Sequence, residues 1–114
     1  MPLLTAPYPD PVDVPIACSL EAAAAHDQLD TWRALLSDRV VAVTMPSPVE
    51  VRMELQADDA ALAALVALAR REAACCPFFR FGLEVDARAT VLTVAVPGDA
   101  VGILDDFVRL ALGR

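Results

Sequence analysis

Ten residues from Glu72 to Phe81, Glu-Ala-Ala-Cys-Cys-Pro-Phe-Phe-Arg-Phe, hold two of the chain's three cysteines and three of its four phenylalanines, with a proline directly behind the cysteine pair. The residues ahead of this stretch carry a helical apolar pattern. A proline cannot donate the next helical hydrogen bond and restricts the residue before it, so Pro77 predicts that the helix closes at or just before Cys76. Any fold must therefore place the thiols at a helix end, where a bend leads into extended chain. Glu72, three residues before Cys75 and four before Cys76, shares a helix side with at least one of them.

On either side of this junction the chain alternates between two periods. Five prolines fall within residues 1–15, which predicts an extended or disordered Pro-rich arm ahead of one domain over 16–114. Cys18 follows the arm, and Ser19 can cap a helix from Leu20 to about Ser37, with Leu29, Trp32 and Leu36 on its buried side. Val40–Val43 reads as a short strand, Pro46-Ser47-Pro48 as a turn, and Val49–Leu55 as a second strand with one wet face. Asp58 or Asp59 can cap the helix that ends at the cysteines, with Leu62, Leu65, Val66, Ala69 and Ala73 along one side. Phe81, Leu83 and Val85 then alternate, a turn spans Asp86 to Ala89, and Thr90–Val96 forms a strand. Pro97-Gly98-Asp99 breaks it, and Asp99 can cap a last helix bearing Val101, Leu104, Phe107, Val108 and Leu112. The expected fold is α+β in the order α-β-β-α-β-β-α, a two-layer sandwich with a mainly antiparallel sheet and helices on one face.

Much of the apolar content is alanine, which favours helices more than it fills a core. Leucine, valine and a few aromatics must build the interior, and a homodimer would complete it. Nine basic against sixteen acidic residues give a net charge of −7, which argues against a nucleic-acid surface. No apolar run reaches eighteen residues, and no charged start leads into a long apolar segment, so membrane spanning and secretion are not expected. An odd cysteine count fits free or metal-bound thiols in a reducing cytoplasm.

Cys75 and Cys76 admit three readings: buried core thiols, redox groups, or ligands for a soft ion. As ligands they need a third donor, and Cys18 would supply it if the start of the first helix meets the end of the second. Zinc would ask for a fourth, from Glu72, His26 or water. Phe78, Phe79 and Phe81 would form the packing frame that keeps water from the thiols. For Glu72 the plain alternative is an exposed helical carboxylate beside Arg71, pairing with Arg80 after the bend. His26 reads most simply as a surface partner of Asp30, Trp32 as core, and Arg33 as a solvated or salt-bridged group. No phosphate loop, dinucleotide fingerprint, His-Glu-x-x-His helix or Gly-x-Ser-x-Gly elbow occurs, so no standard catalytic constellation supports an enzyme.

The pattern Glu72-x-x-Cys75-Cys76-Pro77-Phe78-Phe79-x-Phe81-x-Leu83 resembles a family of small bacterial domains found alone or fused to the C-terminal side of MerR-type metal-responsive regulators. Ile16-Ala17-Cys18-x-Leu20, Trp32-Arg33-x-Leu35 and Val94-x-Val96-Pro97 extend the similarity. The resemblance implies that Cys18, Glu72, Cys75 and Cys76 are the positions of interest, and that association with a separate regulator protein is a route to function. The leading expectation is a cytoplasmic thiol-based binder of a soft metal or metalloid ion: Zn, Cu(I), Hg or arsenite. Its alternatives are a structural or protein-interaction domain with buried non-ligand cysteines, and a small cysteine-dependent redox or lyase-like enzyme.

Overall fold

Leucine at 65 and 68 sets the buried stripe of the central helix, and an aspartate sets its start. In the computed structural model, which describes residues 22–112 and their side chains from Asp27 on, Asp58 is extended and its side chain accepts the Ala61 amide N–H at 2.8 Å. That bond satisfies one of the donors a helix start leaves open and opens α2, Asp59–Cys75. At the other end Cys76 leaves helical geometry and its N–H donates to the Glu72 carbonyl at 2.7 Å, so the helix stops where Pro77 requires.

The remaining elements are α1 (Ala22–Leu36), β1 (Val40–Ser47), β2 (Glu50–Leu55), β3 (Arg80–Val85), β4 (Thr90–Ala95), a single 3-10 turn over Gly98–Ala100, and α3 (Val101–Leu112). The expected order holds. The strands form one sheet in the order β1-β2-β4-β3, with each neighbouring pair antiparallel. Register places Met53 opposite Leu92 and Leu92 opposite Leu83; two residues along, Val51, Val94 and Phe81 line up. Because side chains alternate between faces, these residues share one side of the sheet. Against them pack Trp32 and Leu36 of α1, Leu65 and Leu68 of α2, and Leu104 and Phe107 of α3, in a single core. The domain is thus α+β in two layers, helices on one face. The opposite face carries Arg52, Glu54 and Glu84, with an exposed Arg52–Glu84 ion pair at 3.4 Å, an arrangement worth little stability.

Three details depart from expectation. Strand β1 is twice the expected length and carries Pro46; this is tolerated because β1 is an edge strand, where a proline costs no ladder bond. Asp99 lies inside the 3-10 turn that precedes α3 and makes no side-chain cap there. Arg33 is salt-bridged to Asp30 at 3.9 Å, in line with its expected reading, and its Nε also donates to the Leu110 carbonyl at 2.9 Å, bringing a cation to the open carbonyls at the end of α3. The buried line of α2 is Ala61, Leu65, Leu68 and Glu72, and Val66, expected on that side, is 45% exposed.

The turn at Asp86 to Ala89 forms as expected. Asp86 Oδ1 accepts the N–H groups of Arg88 and Ala89, both at 2.8 Å, and these two bonds hold its carboxyl below the usual carboxylate range. The Pro-rich arm over 1–15, Cys18 and the start of the first helix lie outside the described residues.

Candidate functional site

The largest side chain of the core, Trp32, meets a buried carboxylate. Trp32 is 0% exposed, so its indole N–H must find a partner inside the protein. It donates to Glu72 Oε1 at 2.7 Å, and Gln28 Nε2 donates to the same oxygen at 3.0 Å. Glu72 is itself only 8% exposed. It therefore occupies a core slot on α2 and ties that helix to α1. This corrects the expectation of an exposed carboxylate pairing with Arg80.

Phe78, Phe79 and Phe81 frame this contact rather than a thiol centre. Phe81 stacks on Trp32 with ring centroids 5.5 Å apart, and Phe107 meets Trp32 edge-on at 5.3 Å. Phe79 lies 5.4 Å from Phe107 and 4.8 Å from Phe78. Such geometries add roughly 0.5–1.5 kcal/mol per pair beyond area burial. The bend after Pro77 thus feeds its aromatic rings straight into the centre of the fold.

The cysteines do not form a donor set. Cys75 is half-buried and free, whereas Cys76 is buried and disulfide-bonded, so its sulfur is no thiolate donor. Cys18 lies outside the described residues, as does the side chain of His26. Among the described residues no group of three or more His, Cys, Asp or Glu is placed to hold a metal ion. This overturns the reading of the chain as a soft-metal or metalloid binder through Cys18, Cys75, Cys76 and Glu72. With it go Zn, Cu(I), Hg and arsenite as cofactor or cargo, the ion as a partner, and the description of the protein as metal-binding with a cysteine cluster.

A different feature opens next to the junction. Between α2 and β3 the helical layer stops short of the sheet edge, leaving a groove of about 450 Å³. Val66, Ala69 and Ala73 form the helix wall, Phe78 closes one end, and Phe81 and Leu83 form the strand wall. Small residues at 69 and 73 keep α2 from filling the space, and Arg70 and Arg80 bring the only charges among its lining residues. Leu83 is 37% and Val85 61% exposed, although both stand on the core face of the sheet. The pattern Phe81, Leu83, Val85 was legible as an apolar alternation; its lack of cover was not. The signal for that lay in α2, where a stripe through 65 and 68 leaves Val66 turned outward.

Among the described residues no helix is long and apolar enough to cross a membrane. No family model, curated protein or solved structure matches this chain.

Proposed function

We propose that this domain is a protein-interaction module that uses the α2–β3 groove as its contact surface, with its cysteines as non-ligand residues. The observation that carries the reading is the apolar lining of Val66, Ala69, Phe81 and Leu83, with Val66 and Leu83 exposed beside the aromatic core. Exposed apolar side chains scattered singly mean little, but a contiguous set lining a concavity and rimmed by arginine has the composition of an interface. The polar group one might assign to catalysis, Glu72, is buried and accepts from Trp32 and Gln28 at one oxygen.

Site-specific photocrosslinking tests this in cells. Benzoylphenylalanine at position 66 or 83 is expected to give a discrete protein adduct, while the same probe at Asp105, exposed on α3, gives none. The adducts should vanish when Ala69→Asp places a charge in the groove. Folded protein that yields no adduct from either wall would sink the proposal.

The same proposal sets the domain in the cytoplasm, on the odd cysteine count. The Cys76 disulfide weighs the other way, and counting thiols in protein alkylated at the moment of cell lysis decides between them. A disulfide uses two of the three cysteines, so a reducing compartment gives three labelled thiols with or without prior reductant. One label without reductant and three with it would remove the cytoplasm from the reading.

A further inference from the structure

The two edges of the sheet are not alike. Strand β1 carries Pro46 and departs from regular register twice, between Val40 and Ala42 and between Thr44 and Ser47. Proline and bulges are the usual devices that stop an edge from pairing with another chain. Strand β3 has neither. Its six residues, Arg80 to Val85, pair with β4 in unbroken register, and Gly82, Leu83, Glu84 and Val85 are all exposed.

The sequence of β3 is complementary to itself. When two copies pair antiparallel across a two-fold axis at Gly82, Arg80 of one stands opposite Glu84 of the other, and Phe81 stands opposite Leu83. Directly opposed residues lie on the same face. By register the opposite charges stand at outer-face positions, where Glu84 also faces Arg52 of its own chain at 3.4 Å, while the apolar pairs meet on the face that bears the helices. Both copies then keep their helices on one side, and the open walls of the two grooves turn toward each other. Shifting the pairing by one residue sets Phe81 against Glu84 and inverts one sheet relative to the other. Of the even registers, the one centred on Gly82 is the one that pairs the two charges of the strand with each other.

The glycine points the same way. A Cβ at position 82 would meet only the Thr93 side chain, at an ordinary 3.7 Å, so the folded monomer does not require glycine there. A glycine within a strand weakens it and often marks the close approach of another backbone, which is what a two-fold axis at this position would bring.

We infer that the chain forms an isologous homodimer through β3, joining the two four-stranded sheets into one of eight, with Arg80 of each copy facing Glu84 of the other. This deepens the interaction reading by naming the partner as a second copy. An isologous contact needs only one self-complementary patch and closes on itself. It would also cover Leu83 and Val85, the apolar residues that the helical layer leaves open.

Sedimentation equilibrium of the full chain across a concentration series tests the inference through charge swaps at exposed positions. Wild type is expected to shift from one to two chain masses. Arg80→Glu and Glu84→Arg each set like charges opposite each other at two symmetric contacts, and each should weaken self-association at least about tenfold. Equal mixing of these two variants should restore association to the wild-type range, because each then presents the charge the other lacks. Circular dichroism checks that both variants remain folded. A wild-type chain that stays monomeric throughout, or a dimer indifferent to both swaps and to their mixing, overturns the proposal. A crosslinked adduct from position 66 or 83 that is not twice the chain mass would leave the groove reading standing while the homodimer falls.

Discussion

Trp32→Ala is expected to remove most or all of the stability of this domain. Large aromatic deletions in a core cost about 3–5 kcal/mol through lost transfer energy and the cavity left behind. Here the ring is the common neighbour of Phe81 and Phe107, and its N–H is the closest donor to the buried Glu72 carboxyl. Removing that donor leaves the carboxyl to Gln28 alone and adds roughly 1–3 kcal/mol. The sum, about 4–8 kcal/mol, reaches the lower part of the range of total stability for an ordinary domain, about 5–15 kcal/mol. Trp32→Ala should therefore be unfolded, or collapsed without fixed packing, at 25 °C, with near-ultraviolet dichroism lost and urea unfolding no longer sigmoidal. Trp32→Phe keeps most of the ring volume and should unfold cooperatively at a reduced midpoint. A Trp32→Ala protein that unfolds within about 1 kcal/mol of wild type would mean that the aromatic centre is not what holds the three helices to the sheet.

The fold was legible because its punctuation is chemical. Pro77 ends a helix whatever surrounds it, Asp58 offers a cap oxygen at the right spacing, and the alternation from Val49 to Leu55 has a strand's period. These local signals need no knowledge of tertiary contacts. Strand β1 was read short because Pro46 counts against a strand, and the exception it uses, an edge position, is a property of sheet order that appears only after folding.

The site was legible in location but not in role. Glu72 and the three phenylalanines stood out by density, and they do sit at the centre of the structure. Their chemistry depends on what another element brings to them, and that element is α1 carrying Gln28 and Trp32, forty or more residues away in the chain. A carboxyl beside two cysteines suggests a ligand set; the same carboxyl under an indole N–H is a packing group. One clue was available without the structure: a lone tryptophan in a helix needs a partner for its N–H, and Glu72 falls in phase with Leu65 and Leu68 on the buried stripe. The groove had a weaker signal, the phase of α2 that turns Val66 away from the stripe through Leu65 and Leu68.

The hydrogen bond between Trp32 and Glu72 should show a coupling energy of about 2 kcal/mol in a double-mutant cycle. Glu72→Leu fills the slot with apolar volume but leaves the indole N–H without a partner at a position water cannot reach, at a cost of roughly 1–3 kcal/mol. Trp32→Phe removes the donor and leaves the carboxyl to Gln28 alone, at a similar cost plus the lost ring area. The combined variant removes both polar atoms at once. Because neither partner is then buried unsatisfied, it should be more stable than the sum of the single effects predicts, and it can match the better of the two single variants. Gln28 does not spoil the comparison, since it is only part-buried and its amide can turn to water. Urea unfolding followed by far-ultraviolet dichroism gives all four corners of the cycle, including those without tryptophan fluorescence. Additivity within about 0.5 kcal/mol is what independent sites show, and it would mean that Glu72 reaches the core by accident of helix phase. Coupling at the expected size would identify it as the polar lock between α1 and α2. Glu72 would then be held at this position by the indole, with the cysteines beside it irrelevant to its choice.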